Sequence, residues 1–339
     1  PDGNAGPMKI VSLVPGKPGF RLEGYGASAN LPEEQIDVIR AIDGALYIPG
    51  HDPQLDWSIR TFYKRTAAAE VWQQSASTNS MAGSGWGIHG YDITGFGGKL
   101  FACGQSYAVS GDGGQTWAHA GSSARCTALI KLGGKLYGAN YYPGFGLDEY
   151  NPATGKFASR NDMFQSRWAW LVPGLQLSDP AKAAIKIVRP VEVGKVALYL
   201  AGYASSDHQT GTLDVYLAKS FDVGAFNVAR TTPAGERPWD LLVRGATAYL
   251  LTSSRTGSGA AERFTVTIWK STSDLAGWTR LYAFPNLATF ARSFEEVNGD
   301  FYLGLGTDDG TVSTDAWDAS YTNGLKADSG RILWVKTRD

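Results

Sequence analysis

Histidine, arginine and tyrosine are the side chains of this 339-residue chain whose positions point to chemistry. Two of the four histidines, His51 and His89, stand in glycine-bounded segments, "YIPGHDPQLDW" (47–57) and "GIHGYDITGF" (87–96). Imidazole exchanges a proton near neutral pH, and a neighbouring carboxylate such as Asp52 is placed to orient it. Arg125, Arg237, Arg292 and Arg255 offer guanidinium forks, which bind carboxylate or sulfate through paired hydrogen bonds. Trp57, Tyr91 and Trp239 supply rings suited to stacking on sugars, and Tyr141 and Tyr142 supply phenols. This set suits proton transfer on an acidic glycan. An arginine neutralises a bound carboxylate, and a histidine or tyrosine beside it exchanges protons with the bound molecule. His119 and His208 fall in polar, surface-like segments.

These residues are far apart in sequence, so a fold must gather them. Strand-sized apolar runs bounded by Gly, Asn and Asp dominate the chain, and the helical candidates Pro32–Ile39 and Pro180–Ala184 are short. A turn followed by a strand recurs in "DGALYIPG", "GGKLFACG", "GGKLYGAN", "GKVALYLAG", "GATAYLLT" and "NGDFYLGLG". Each is preceded by another short strand and followed by a third, and most third strands run into a polar turn and an aromatic. A unit of three to four strands repeated roughly every 35–65 residues is the pattern of a β-propeller blade. The expectation is an all-β, six-bladed β-propeller forming a single domain over 1–339, with seven blades as the alternative. The sixth repeat lacks a fourth strand. The N-terminal segment 1–16, with "MKIVSLVPG" (8–16), is expected to complete it and close the ring. Residues 160–180 break the rhythm, as an irregular insertion or an extra strand.

"SGDGGQTW" (110–117) has the spacing Ser-x-Asp-x-Gly-x-Thr-Trp, with Ser110, Asp112, Gly114, Thr116 and Trp117 in place. "STSDLAGW" (271–278) keeps Ser271, Gly277 and Trp278 with Asp274 displaced, and "SFDVGAF" (220–226) keeps Ser220, Asp222 and Gly224. The run resembles the Asp-box of sialidase-like (BNR-repeat) β-propellers. Its chemistry is local: a short acid accepts hydrogen bonds from its own turn. An EF-hand needs more acids and a distal Glu, and a phosphate loop needs Gly-Lys-Ser/Thr; neither is present. The resemblance implies that this turn joins third and fourth strands on the face opposite a ligand site. The starts of first strands (His89, Tyr91, Arg125, Arg237, Trp239, Arg292) and the ends of second strands (His51, Tyr141, Tyr142, Arg255) would then share the other face, with three arginines converging on the axis. In sialidases three arginines clamp a substrate carboxylate. This chain has no Arg-Ile-Pro near its N-terminus, and the nearest nucleophile pair would be Tyr141 or Tyr142 with Glu149. Each arginine also has local acids to pair with: Arg237 with Glu236 or Asp240, Arg292 with Glu295 or Glu296.

Three functions stay open on these residues: a polysaccharide lyase or glycoside hydrolase acting on a uronate, sulfated or sialylated glycan; a non-catalytic glycan-binding adhesin or viral receptor-binding protein; and a scaffold propeller. Net charge is −1, so no global field favours nucleic acid. No apolar run approaches the roughly 18 residues of a membrane span. The sequence opens on Pro1 and not Met and contains no signal peptide, and an extracellular or cell- or virion-surface location is expected. No cofactor is expected, apart from structural calcium at loop acids such as Asp308 and Asp309. Cys103 and Cys126 are either two buried thiols or a single bridge.

Overall fold

The computed structural model describes residues 10–13, 20–25, 31, 36, 38–50, 62–69, 71–77, 90–104, 106–122, 126–140, 146–160, 184–204, 212–218, 226–230, 236–256, 263–286, 290–306 and 332–336. All regular structure among them is strand. The chain forms two compact units, Pro1–Leu129 with Lys135–Asn161, and Ile130–Gly134 with Asp162–Asp339.

The first unit opens with β1 (Val11–Leu13), β2 (Phe20–Leu22) and β3 (Gly24–Tyr25). Its first blade-like sheet is β4 (Arg40–Ile42), β5 (Ala45–Pro49), β6 (Phe62–Thr66) and β7 (Val71–Ser77). The second is β8 (Gly90–Phe96), β9 (Lys99–Gly104), β10 (Ser106–Ser110) and β11 (Thr116–Ser122). A short parallel contact of β7 with β11 joins these two, and β3 pairs with β7. The third sheet is β12 (Cys126–Leu132), β13 (Lys135–Asn140), β14 (Gly146–Asn151) and β15 (Lys156–Ser159).

The second unit holds a sheet of β16 (Ala184–Val193), β17 (Val196–Ala204), β18 (Thr212–Ala218) and β19 (Phe226–Arg230). Next come β20 (Glu236–Arg244), β21 (Thr247–Thr256), β22 (Arg263–Ser271) and β23 (Trp278–Asn286). The last sheet is β24 (Phe290–Val297), β25 (Asp300–Gly306) and β26 (Ile332–Val335). Strand order follows chain order through these antiparallel sheets, the meander of a β-propeller blade.

The recurring glycine dipeptides have a common cause. Asp43-Gly44, Gly97-Gly98, Gly133-Gly134 and Asn298-Gly299 all hold positive φ at both positions, and three of these hairpins close as Ile42↔Ala45, Phe96↔Lys99 and Val297↔Asp300. A two-residue hairpin of this hand needs left-handed backbone at both central residues, which Gly, Asn and Asp tolerate. The apolar faces of successive sheets then pack on each other. Tyr47, Phe62, Ile93, Leu100 and Trp117 fill the space between the first and second sheets, and Phe101, Tyr107, Leu136, Tyr150 and Phe157 that between the second and third. In the second unit Leu198, Val215 and Leu250 form one such core, and Val266, Ile268, Phe301 and Leu303 another.

Two sequence expectations are corrected. Val11–Leu13 does not extend the three-stranded last sheet; it pairs with Phe20–Leu22 in its own two-stranded sheet. Closing a short loop costs little chain entropy, and the hairpin is anchored locally. Ile10 is buried with Leu31, Ile48, Tyr63 and Trp72. The Glu23 carboxylate is gripped by Arg65 Nε at 2.5 Å and Arg21 Nη2 at 3.1 Å. Burial acts to raise that carboxyl, but the hydrogen bonds from Arg21 and Arg65 and the Arg65 charge outweigh it and hold it below its ordinary value. The second correction is Ala184, expected at a helix end, which opens β16. Residues 161–183, with nearly all of the expected insertion, lie outside the described residues.

Candidate functional site

Four first strands carry a break in register, near the start in β8, β20 and β24 and past mid-strand in β16. In β8, Tyr91 falls out of register between Gly90, opposite Gly104, and Asp92, opposite Cys103. In β20, Trp239 does so between Pro238 and Asp240, and in β24 Arg292 does so between Ala291 and Ser293. In β16 the break takes in Arg189 and Pro190, between Val188 and Val191. A bulge residue leaves the ladder and is re-aimed, and bulges are over-represented beside active sites. Tyr91 and Trp239 are half-buried, and the Trp239 indole donates to Ser253 Oγ at 2.6 Å.

The residue after the bulge repairs the ladder. Asp92 accepts from its neighbour's amide, Ile93 N, at 2.9 Å, and Asp240 does the same with Leu241 N at 2.9 Å. Both aspartates are buried, at 4% and 2% exposure, so they need such donors. Asp92 reaches further: its other oxygen takes Leu129 N on β12 at 2.9 Å, while Arg40 on β4 donates through Nε at 3.1 Å and Nη2 at 3.0 Å. One carboxylate thus ties together the first strands of three successive sheets of the first unit. Sequence reasoning missed Asp92, Asp240 and Arg40. The signal was available in Tyr91-Asp92-Ile93 and Trp239-Asp240-Leu241, an aromatic–Asp–aliphatic triplet at equivalent places.

At this end of the first unit two sheets come very close. A Cβ on Gly90 would sit 2.5 Å from Gly50 O and 2.9 Å from Pro49 Cβ, so only glycine fits. Gly50 and Gly90 are the chain neighbours of His51 and His89. Those two histidines, with Trp57, Arg125, Tyr141 and Tyr142, lie outside the described residues. In the second unit Arg237 stands opposite Ser253, and Arg255 lies two residues beyond Ser253, opposite Phe264. Arg237, Trp239 and Arg255 therefore share one end of one sheet, and Arg292 occupies the bulge of the next first strand. Of the acids named in the sequence, Glu295 and Glu296 pair with Arg244, Asp240 accepts from Leu241 N, and Glu149 holds Arg160 and Lys135. His119, expected at the surface, is half-buried in β11; burial, and then the Lys156 charge, lower its pKa. Among the described residues no group of three His, Cys, Asp or Glu could hold a metal ion; Asp308 and Asp309 lie outside them.

The turn 110–117 sits at the other end of its sheet, since Ser110 pairs with Leu100 beside the 97–98 hairpin and far from Gly90↔Gly104. Asp112 accepts from Gln115 N at 3.0 Å, Thr116 N at 2.9 Å, Ser110 Oγ at 2.8 Å and Thr116 Oγ1 at 2.5 Å. Ser110 Oγ in turn accepts from Gly114 N at 2.8 Å. Slight burial acts to raise the Asp112 carboxyl, but the donors from Thr116, Ser110 and Gln115 hold it at about 2. The neighbouring sheet grips the turn as well: Tyr47 Oη and Lys64 Nζ both donate to Gly113 O, at 3.0 and 2.6 Å. Trp117, 1% exposed, stacks on Phe62 at 4.1 Å. This turn is a structural staple whose acceptors are occupied by its own residues and its neighbours.

No protein-family model and no curated protein sequence matches the chain. Solved structures similar to it include the WD40 repeats of RRP9, at 11% identity over 82% of this chain and 89% of that one, with a TM-score of 0.43. YjhT is similar at 12% identity over 77% and 90%, with a TM-score of 0.44. An α-L-arabinanase of Cellvibrio cellulosa, complexed with arabinohexaose, is similar at 11% identity over 70% and 92%, with a TM-score of 0.36.

Proposed function

We propose that this protein is a carbohydrate-active propeller that binds an acidic glycan at the strand ends where first strands begin, and cleaves it with residues of its first unit. The observation that supports this reading is the close approach of Gly90 to Gly50 and Pro49, Gly50 and Gly90 being next in sequence to the two histidines. In the proposed chemistry one of these histidines takes the C5 proton of a uronate, Arg125 neutralises the carboxylate, and the other histidine or a phenol of Tyr141 or Tyr142 protonates the leaving oxygen. Trp57 and Tyr91 stack on the sugar. The second unit contributes guanidinium groups at its own strand ends, Arg237, Arg255 and Arg292, with Trp239 beside them, as an anion-binding set.

The test is a panel of uronate, sulfated and sialylated polysaccharides, followed by absorbance of unsaturated products and by release of reducing ends. Turnover of an acidic polymer is expected, reduced at least about 100-fold in His51→Ala or His89→Ala. Binding without turnover leaves an adhesin. Neither binding nor turnover across the panel sinks the glycan reading. Arg237→Ala is expected to weaken glycan binding about tenfold or more; unchanged binding removes Arg237 from the anion-binding set.

A further inference from the structure

Cys103 and Cys126 come from different sheets and share one core. Both are fully buried, at 0% exposure, in the core between the second and third sheets, with Phe101, Tyr107, Tyr150 and Phe157. Cys103 lies on β9, opposite Tyr107 of β10, and Cys126 opens β12. Both are free thiols, the Cys126 thiol acts on the ionisation of Cys103, and Cys126 Sγ donates to Ala128 O at 3.3 Å. The Tyr107 phenol of the same cluster donates to buried Asp148 Oδ2 at 2.8 Å. The third sheet is hollowed to admit that phenol: a Cβ on Gly138 would lie 2.1 Å from Tyr107 Oη. A dense surround therefore confines both sulfurs to one buried core.

We propose that Cys103 and Cys126 are a disulfide-forming pair, oxidised during folding by a small disulfide oxidant, and that their bond joins the second sheet to the third. A thiolate of one cysteine attacks the oxidant's S–S bond and displaces one thiolate. The second cysteine then attacks the mixed disulfide and displaces the other. Two electrons pass to the oxidant, which leaves as two thiols carrying the two cysteine protons. Burial, and then the facing Cys126 thiol, push the Cys103 thiol well above its ordinary value. Thiolate is the attacking species, so exchange is slow once the core has closed. The bond forms while the chain is still open, and the redox conditions of folding are then locked in. It closes a loop of 23 residues (126 − 103), which removes chain entropy from the unfolded state.

The experiment unfolds the full chain in denaturant and refolds it with a mixture of oxidised and reduced glutathione, or with a reductant alone. Expected from the oxidising arm is a monomer about 2 Da lighter, a peptide map joining the segments of Cys103 and Cys126, and a Tm higher by at least about 5 °C than that of the reduced protein. A Cys103→Ala/Cys126→Ala double variant should lose this response to oxidant. Two glutathione adducts, an intermolecular dimer, or two thiols still titrating after denaturation would overturn the proposal. The wild-type peptide map decides the matter even where the double variant does not fold.

Discussion

The turns 110–117 and 271–278 occupy the same place in their sheets, between third and fourth strands, and are held differently. In the first, the hydroxyl that organises the loop is Ser110, two residues before its acid. In the second it is Thr272, which donates to Asp274 at 2.5 Å and accepts from Gly277 N at 2.9 Å. Ser271, the residue that aligns with Ser110 in sequence, instead accepts Ala248 N at 2.9 Å and belongs to the sheet. Asp274 is not displaced from its hydroxyl; the pair has moved together by one residue, and buried Leu275 takes up the difference at φ 61°. The larger contrast is outside the loop. Turn 110–117 is gripped by Tyr47, Lys64 and Phe62 of the neighbouring sheet, whereas the hydrogen bonds that shape 272–277 come from its own residues. The same local chemistry is hydrogen-bonded to the neighbouring sheet in one blade, and in the other reaches it by packing Leu275 and Trp278 into a core with Val193 and Leu198.

Three substitution pairs test that difference, the largest effect first. Trp117→Ala should cost about 3–5 kcal/mol, because it empties a stacked, fully buried site. The half-buried Trp278→Ala should cost roughly 1–2 kcal/mol. Denaturant midpoints at constant m-value read both, and equal losses would erase the contrast. Gly114→Ala should cost about 2 kcal/mol, since Gly114 has φ +87° and a Cβ there would meet Tyr47 Cε1 at 2.8 Å. At Gly277 the obstacle is Thr272 Oγ1 at 2.9 Å, on an exposed side chain. Gly277→Ala should therefore cost under about 1 kcal/mol.

The smallest effect is electrostatic. Asp112 ionises at about 2 in the fold against an ordinary 3.8, so its stabilisation is complete above the ordinary value and is lost as pH falls from about 4 to 2. The group is almost fully exposed, and with solvent screening Asp112→Asn should cost about 1 kcal/mol at neutral pH. The unfolding midpoint of the variant should lack the part of the acid response that wild type shows between about pH 4 and pH 2. Asp274 is lowered too, first by its Thr272 hydrogen bond, so Asp274→Asn should shift the acid response in the same direction. A larger loss in Asp274→Asn than in Asp112→Asn would reverse the ranking.

The hairpins were legible because a two-residue turn with positive φ at both positions admits few residue types, and Asp43-Gly44, Gly97-Gly98 and Asn298-Gly299 announce them. The direction of the sheets followed as well: the register puts turn 110–117 at the end of its sheet opposite Tyr91. Partners were not legible. "MKIVSLVPG" reads as a strand, but strand character says nothing about which edge it joins, and it joined Phe20–Leu22. Glu295 and Glu296 lie close in sequence to Arg292, yet Arg244 of the neighbouring sheet engages them.

By itself the sequence determined what depends on a few consecutive residues: where the chain turns, where it extends, and which short acids satisfy their own loops. Those choices are settled by backbone angles and by hydrogen bonds with little chain to close. Tertiary structure alone decided that Asp92 would tie three sheets, that Thr272 and not Ser271 would organise its turn, that Gly50 would abut Gly90, and that two cysteines 23 positions apart would share one buried core. Each of these depends on which faces pack together, and packing is a property of the whole sheet.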